Sequence, residues 1–348
     1  MKNLIYGSLL NFFLIGCVAD AEQIKTVENK NNLKIVEEYG YQEIKLSGDV
    51  SEKYSEISGL AWHNDDLFFV TQYPGNYAEG EEGVLWKVSK QEIYKAIENP
   101  EITLAPKEVK LNTNGMGDVI NSRGSGLEAI VFDGETVYLS IENSDRNGTN
   151  GIIVKGELNN EKNEITLLPE SAVKIEHEVN ISNFAEETLT QTKDHVISIF
   201  EGNGKEVYPN SKAHLISKKT GEITKIPIEH LEYRVTDATE LDENGNFWVI
   251  NFLYPGEKTK LKLCPDTLVA KFGIGKTHNE NEQVERLVEF NFDGEKLQLT
   301  ETPPIQLKLE KDSKSNNWEG IVRLDDKGFL LITDYYPGTK LVFVPYSK

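Results

Sequence analysis

The stretch Glu128-Ala-Ile-Val-Phe-Asp-Gly-Glu-Thr-Val-Tyr-Leu-Ser-Ile-Glu142 decides the architecture. An acidic residue opens an apolar run, an Asp-Gly turn interrupts it, and a second apolar run ends on another acid. Asp-Gly between β-branched and aromatic runs is a hairpin signal. The phrase recurs from Ser58-Gly-Leu-Ala-Trp to Gln72, from Glu187-Thr-Leu-Thr-Gln to Glu201, from Asp237-Ala-Thr-Glu-Leu to Asn251 and from Glu319-Gly-Ile-Val-Arg to Asp334. The two marked positions lie 14 or 15 residues apart in every copy. Three copies continue into the same turn, Tyr73-Pro74-Gly75, Tyr254-Pro255-Gly256 and Tyr336-Pro337-Gly338. Repetition at a long period points to an array of equivalent units.

Around these phrases the chain is written in short β-branched and aromatic runs. Strands are expected at Leu67–Thr71, Gly83–Val88, Gly151–Leu158, Ala213–Ser217, Leu268–Phe272 and Leu341–Val344, and a helix at Lys90–Glu98 before Pro100. The fold class is therefore all-β, and a β-propeller suits it best: each phrase supplies two inner strands of a four-stranded blade and the following segment supplies two outer ones. Five blades are expected. The long interval between Asp237 and Glu319 leaves room for a sixth, built on Val284–Phe292 and Leu297–Leu299. Only one strand follows the last phrase, so Glu43–Leu46 from the N-terminal side is expected to complete the last blade and remove an open edge.

In a propeller the first strand of each blade lines the channel, and its start lies at the same end as the finish of the antiparallel second strand. Ser58, Glu128, Glu187, Asp237 and Glu319 would then form an inner ring, with Gln72, Glu142, Glu201, Asn251 and Asp334 beside it. Seven of these ten are carboxylates, which repel one another unless a cation lies among them. Calcium accepts six to eight oxygens in loose geometry, so Ca2+ is the expected cofactor, with the inner five as ligands. Three of the five arginines, Arg123, Arg146 and Arg234, fall near the same face. Arginine captures phosphate or carboxylate bidentately. They suggest a small anionic ligand, with Glu142, Glu201, Asn251 and Asp334 lining its cleft; a protein partner is the other reading.

The bulk numbers agree. The net charge is -20, from 57 acidic and 37 basic residues, which argues against a nucleic-acid partner because phosphate backbones demand a basic footprint. Lys2 and the apolar run Leu4–Gly16 form a leader too short to span a bilayer. It ends in Leu14-Ile15-Gly16-Cys17, which resembles the lipobox of bacterial lipoproteins. That resemblance implies a signal peptide over 1–16, lipidation of Cys17 and a tether over 17–40. It also implies an anchored domain over 41–348 in the cell envelope, at the outer membrane in a Gram-negative cell. With Cys17 lipidated, Cys264 has no intramolecular disulfide partner. A monomer is expected.

The phrases Glu56-Ile-Ser-Gly-Leu-Ala-Trp, Gly126-Leu-Glu-Ala-Ile and Trp318-Glu-Gly-Ile-Val resemble the phytase-like (esterase-like) propeller domain and the SdiA-regulated propeller proteins, and more remotely the calcium-activated nucleotidases. The resemblance spans roughly 43–348. It implies a calcium-dependent propeller and, as an alternative to simple binding, phosphoester hydrolysis. A carboxylate such as Glu187 or Glu128 would then activate water and Arg234 would stabilise developing charge. Sugar-lactone hydrolysis on six blades is a further alternative. Ser58, where other copies carry an acid, departs from the pattern.

Overall fold

The computed structural model describes residues 33–78, 82–122, 124–145, 148–179, 181, 183–311 and 315–347. The leader, Cys17, most of the tether, Arg123 and Arg146 lie outside them. Residues Leu33–Lys348 make one unit, and no described helix is long and apolar enough to cross a membrane.

The strands resolve into five antiparallel units of four. Blade one is Ile57–His63, Asp66–Thr71, Glu82–Ser89 and Lys107–Asn112. Blade two is Ser125–Asp133, Thr136–Asp145, Gly148–Asn159 and Glu164–Ile175. Blade three is Thr188–Gln191, His195–Ile199, Lys212–Ser217 and Ile223–Pro227. Blade four is Arg234–Ala238, Asn246–Leu253, Val284–Phe292 and Leu297–Leu299. Blade five is Trp318–Leu324, Gly328–Thr333 and Leu341–Pro345, completed by Gln42–Leu46 from the N-terminal side, with Gln42 opposite Phe343 and Ile44 opposite Leu341. The five first strands touch in a closed cycle, one to two, two to three, three to four, four to five and five to one. This is a β-propeller closed by an N-terminal strand. Val284–Phe292 pairs along its length with Asn246–Leu253, so the long interval supplies outer strands of blade four.

The strands are apolar on both sides because each blade is packed between two others. In blade one, Leu67 and Phe69 face a core shared with Leu330, Ile332 and Leu341 of blade five. Phe68 and Val70 face a core shared with Leu127, Leu139 and Val154 of blade two. Equivalent cores lie between blades two and three, three and four, and four and five. A buried side chain of this size contributes ~1.5–3 kcal/mol, so the ring is held by apolar burial spread evenly around it. The glycine after the phrase's first residue permits close approach of adjacent inner strands. A Cβ on Gly59 would meet Glu128 O and the Ala129 Cα at 3.2 Å, and one on Gly320 would meet the Leu60 Cγ at 2.8 Å.

Three expectations are corrected. Leu268–Phe272 is helical, within Thr267–Phe272, because Asp266 caps the turn by accepting from Leu268 N and Val269 N. Ile35–Val36, expected within the tether, pairs with Ile274–Gly275, and Glu38 accepts from Thr277 and His278, so the packed domain starts before residue 41. Cys264 is disulfide-bonded. The helix Lys90–Glu98 forms where expected, on a Ser89–Glu92 capping box.

Candidate functional site: the acidic channel mouth

At the mouth end of each first strand the ladder breaks, at one residue in blades one, two and five and across two in blades three and four. Ile57 pairs with Thr71 and Gly59 with Val70, leaving Ser58 as a bulge. Glu128 bulges in the same way between Leu127 and Ala129, and Glu319 between Trp318 and Gly320. In blade three, Glu201 N donates to Ala185 O and Thr188 pairs with Ile199, which leaves Glu186 and Glu187 in the break. A bulge re-aims one side chain while the strand continues. The repeated phrase thus encodes a repeated kink that turns its first residue towards the channel.

The fourth copy keeps the register of the third. Val235 pairs with Asn251 and Ala238 with Val249, as Ala185 faces Glu201 and Thr188 pairs with Ile199 in blade three, so Thr236 and Asp237 together fill the break that Ser58 fills alone in blade one. The two hydroxyls behave alike. Ser58 Oγ donates to Leu127 O at 2.7 Å and Thr236 Oγ1 donates to Trp318 O at 2.6 Å, each stitching its strand to the next blade. Asp237 does not join the other acids. Its oxygens accept from Ile321 N and Ala238 N, both at 2.8 Å, and burial holds its carboxyl well above the usual range against those bonds. Asn251 is equally occupied, donating to Glu232 O and Arg234 O and accepting from Arg286 Nε at 2.8 Å.

The groups brought together are Glu128, Glu142, Glu187, Glu201, Glu319 and Asp334, with Arg234 among them. Arg234 is 7 % exposed. Its Nε contacts Glu201, its Nη2 lies 3.4 Å from Glu187 and its Nη1 lies 3.5 Å from Glu257. Its guanidinium lies 4.9 Å from the Phe184 ring, which also carries Lys260 Nζ at 4.2 Å. Burial opposes the charge on Arg234, but Glu187, Glu257, Glu319 and Asp334 more than restore it. Glu257, Glu56, Thr236 and Phe184 were not expected at the site. Glu56 opens a quoted phrase and Glu257 follows Tyr254-Pro255-Gly256, which was their only signal.

The carboxyls away from Arg234's direct bonds are held by neutral donors. Gln72 Nε2 donates to Glu128 at 3.0 Å, Ser144 Oγ to Glu142 at 3.3 Å, and Asn317 Nδ2 to Glu319 at 2.7 Å and to Asp334 at 3.1 Å. Burial, then Glu187 and Glu142, push Glu128 well above the carboxylate range; burial, then Asp334 and Glu187, do the same to Glu319. Burial raises Glu142, with Ser144, Arg234 and Lys260 opposing. Glu187 is pushed up to about 8 by burial despite Arg234. Burial takes Asp334 to about 6, and burial with the Asp334 charge takes Glu56 to about 7. Burial and four of these acids raise Tyr73 to about 12, which places this tyrosine at the mouth.

Among the described residues, no three His, Cys, Asp or Glu side chains stand together in a way that would hold a metal ion. The expected five-ligand calcium ring has two members already engaged by backbone groups, Ser58 and Asp237. The positive charge among the acids belongs to Arg234, which was expected on the rim as an anion receptor and is instead bonded to carboxylates.

No protein-family profile matches the chain, and no curated protein matches it. Among solved structures, a glucose dehydrogenase is 11% identical, covering 88% of this chain and 99% of its own, with a TM-score of 0.48. A GH43 protein from Bacillus licheniformis is 10% identical over 83% of this chain and 50% of its own, with a TM-score of 0.45. A GH32 beta-fructofuranosidase from Bombyx mori is 10% identical over 91% of this chain and 64% of its own, with a TM-score of 0.47.

Proposed function

We propose that the protein is a ligand-binding propeller whose channel mouth takes up a compact cationic group. The observation that carries this is the asymmetry of the acidic cluster. One side is bonded directly to Arg234, whereas Glu128, Glu142, Glu319 and Asp334 take their hydrogen bonds from Gln72, Ser144 and Asn317, none of which carries charge. Glu187 Oε2 and Asp334 Oδ1 are also buried without a hydrogen-bond partner. Buried carboxyls that keep their protons to unusually high pH gain most from a cation, which replaces those protons.

Among the described residues the side chains do not form a metal cage as they stand, and the cation is proposed as a ligand or part of one. The test is thermal unfolding at pH 7.5 with calcium chloride and, separately, with methylammonium chloride. Saturable stabilisation by either, absent when Glu128→Gln and Glu319→Gln are combined, is the expected result. No stabilisation by both would overturn the reading.

One observation favours a second reading, ester hydrolysis. Glu187 keeps its proton to about pH 8, beside further carboxyls and an arginine, and an acid poised near the working pH suits general catalysis. Hydrolysis of 4-nitrophenyl phosphate that Glu187→Gln lowers at least ~100-fold would establish it; turnover equal in the two proteins would remove it.

A further inference from the structure

The far end of the blades carries the opposite character. Between blades two and three, where the hairpin turns lie, a cavity of about 750 Å³ is bordered by Lys155, Lys193, Lys218 and Lys219 together with His195. In a chain of net charge -20, four lysines around one cavity are a local reversal of sign. The acids on the same wall are Asp133, Glu157 and Asp194, and only Asp133 is engaged, with Lys218 Nζ at 3.1 Å. Lys155 Nζ makes no ion pair. It donates to Lys218 O at 2.6 Å and lies 5.6 Å from the centre of the Tyr138 ring. Lys193 and Lys219 are exposed and make no ion pair among the described residues.

The positions are dictated by the fold. Lys193 sits in the turn between the first two strands of blade three, and Lys218 and Lys219 in the turn between its last two strands. The two turns are tied by Lys218 N donating to Asp194 O at 3.0 Å. Lys155 faces them from blade two, opposite Tyr138. Three ammonium groups without a carboxylate partner therefore surround one cavity, fixed by strands on two blades.

We infer that this cavity binds a phosphate-bearing ligand through Lys155, Lys193 and Lys219. Ammonium groups act on phosphate as independent point charges, and three of them match a dianion held away from the acidic mouth. The anion chemistry expected at the mouth thus belongs at the other end of the molecule, and this site is independent of cation uptake there. The phosphate is that of a free ester or of a phospholipid headgroup, and the experiment separates the two.

The full chain is titrated at low salt with glycerol 3-phosphate by isothermal calorimetry. It is also mixed with vesicles of phosphatidylglycerol and of phosphatidylcholine in a sedimentation assay. Saturable binding of the ester identifies a free phosphate ligand; binding to phosphatidylglycerol and not phosphatidylcholine identifies a headgroup. In either case Lys193→Ala combined with Lys219→Ala lowers affinity at least tenfold, and Glu128→Gln with Glu319→Gln does not. Absence of binding to both probes, or unchanged affinity in the lysine variant, overturns the inference. The substituted lysines are exposed, so the variant is expected to fold, and an unchanged unfolding temperature confirms it.

Discussion

Replacing Arg234 with methionine will destabilise the protein by ~3–5 kcal/mol at pH 8. The substitution roughly keeps the volume and removes the charge. It leaves Glu201, which is fully buried, and Glu187 without the arginine that each contacts, while Glu257 keeps Lys260 Nζ at 3.6 Å. A buried charge whose partner is deleted cannot regain water, and its cheapest escape is protonation. The loss should therefore shrink as pH falls towards 5. Urea unfolding of both proteins at pH 8 and pH 5 measures it. A loss below ~1 kcal/mol at both pH values, the range of an exposed pair, would show that Arg234 is not the counter-charge of the cluster.

The second large effect is an inverted pH dependence. Glu187, Glu56 and Asp334 have folded-state values of about 8, 7 and 6 against ordinary values of 4.5, 4.5 and 3.8. Glu128, Glu142 and Glu319 move the same way. Between their ordinary and raised values the folded protein binds more protons than the unfolded chain, so stability falls as pH rises through that window. The contribution is complete below about pH 4, falls progressively from about pH 4.5 and is gone by about pH 8. Glu186 and Glu38 oppose this at the acid end. Burial works against them, but His214, His177 and Ser198 lower Glu186, and Thr277 and His278 lower Glu38. Their contribution is present above 4.5 and is lost as pH falls further. Stability should therefore peak near pH 5, above its value at pH 8 by an amount on the order of a few kcal/mol, or roughly 5–10 °C in Tm. Melting curves across pH 4–9 in chelator test this. A flat profile, or a maximum at pH 8, would contradict the burial of the acids.

Much of this architecture was legible because the phrase carries its own geometry. Alternating apolar runs around Asp133-Gly134 encode a hairpin locally, and the missing last strand of blade five pointed to Glu43–Leu46, which the pairing of Ile44 with Leu341 bears out. The fourth copy keeps the spacing and the register of the third, but Asp237 is taken up by Ile321 N and Ala238 N and Asn251 by Arg286, contacts that no local pattern encodes. Leu268–Phe272 misled because its apolar residues suit either element, and the Asp266 cap after Pro265 outweighs them. The place of Arg234 at the mouth was legible, but its bonds to carboxylates were not. Its insertion depends on Glu201, Glu187 and Glu257 from other segments, and on the Phe184 ring beneath it. No local pattern encodes contacts over such separations, and the same holds for the lysines shared between blades two and three.

The account rests on proton-loaded acids that exchange protons for a cation. Calorimetric titration with calcium chloride at pH 7.5, in two buffers of different ionisation enthalpy, tests it most directly. Binding should release protons, so the observed heat should differ between buffers, and affinity should tighten from pH 6 to pH 8. Methylammonium chloride in the same experiment decides whether the group is a metal ion or an organic ammonium. Binding heats equal in the two buffers, or no binding of either cation, would contradict the central claim.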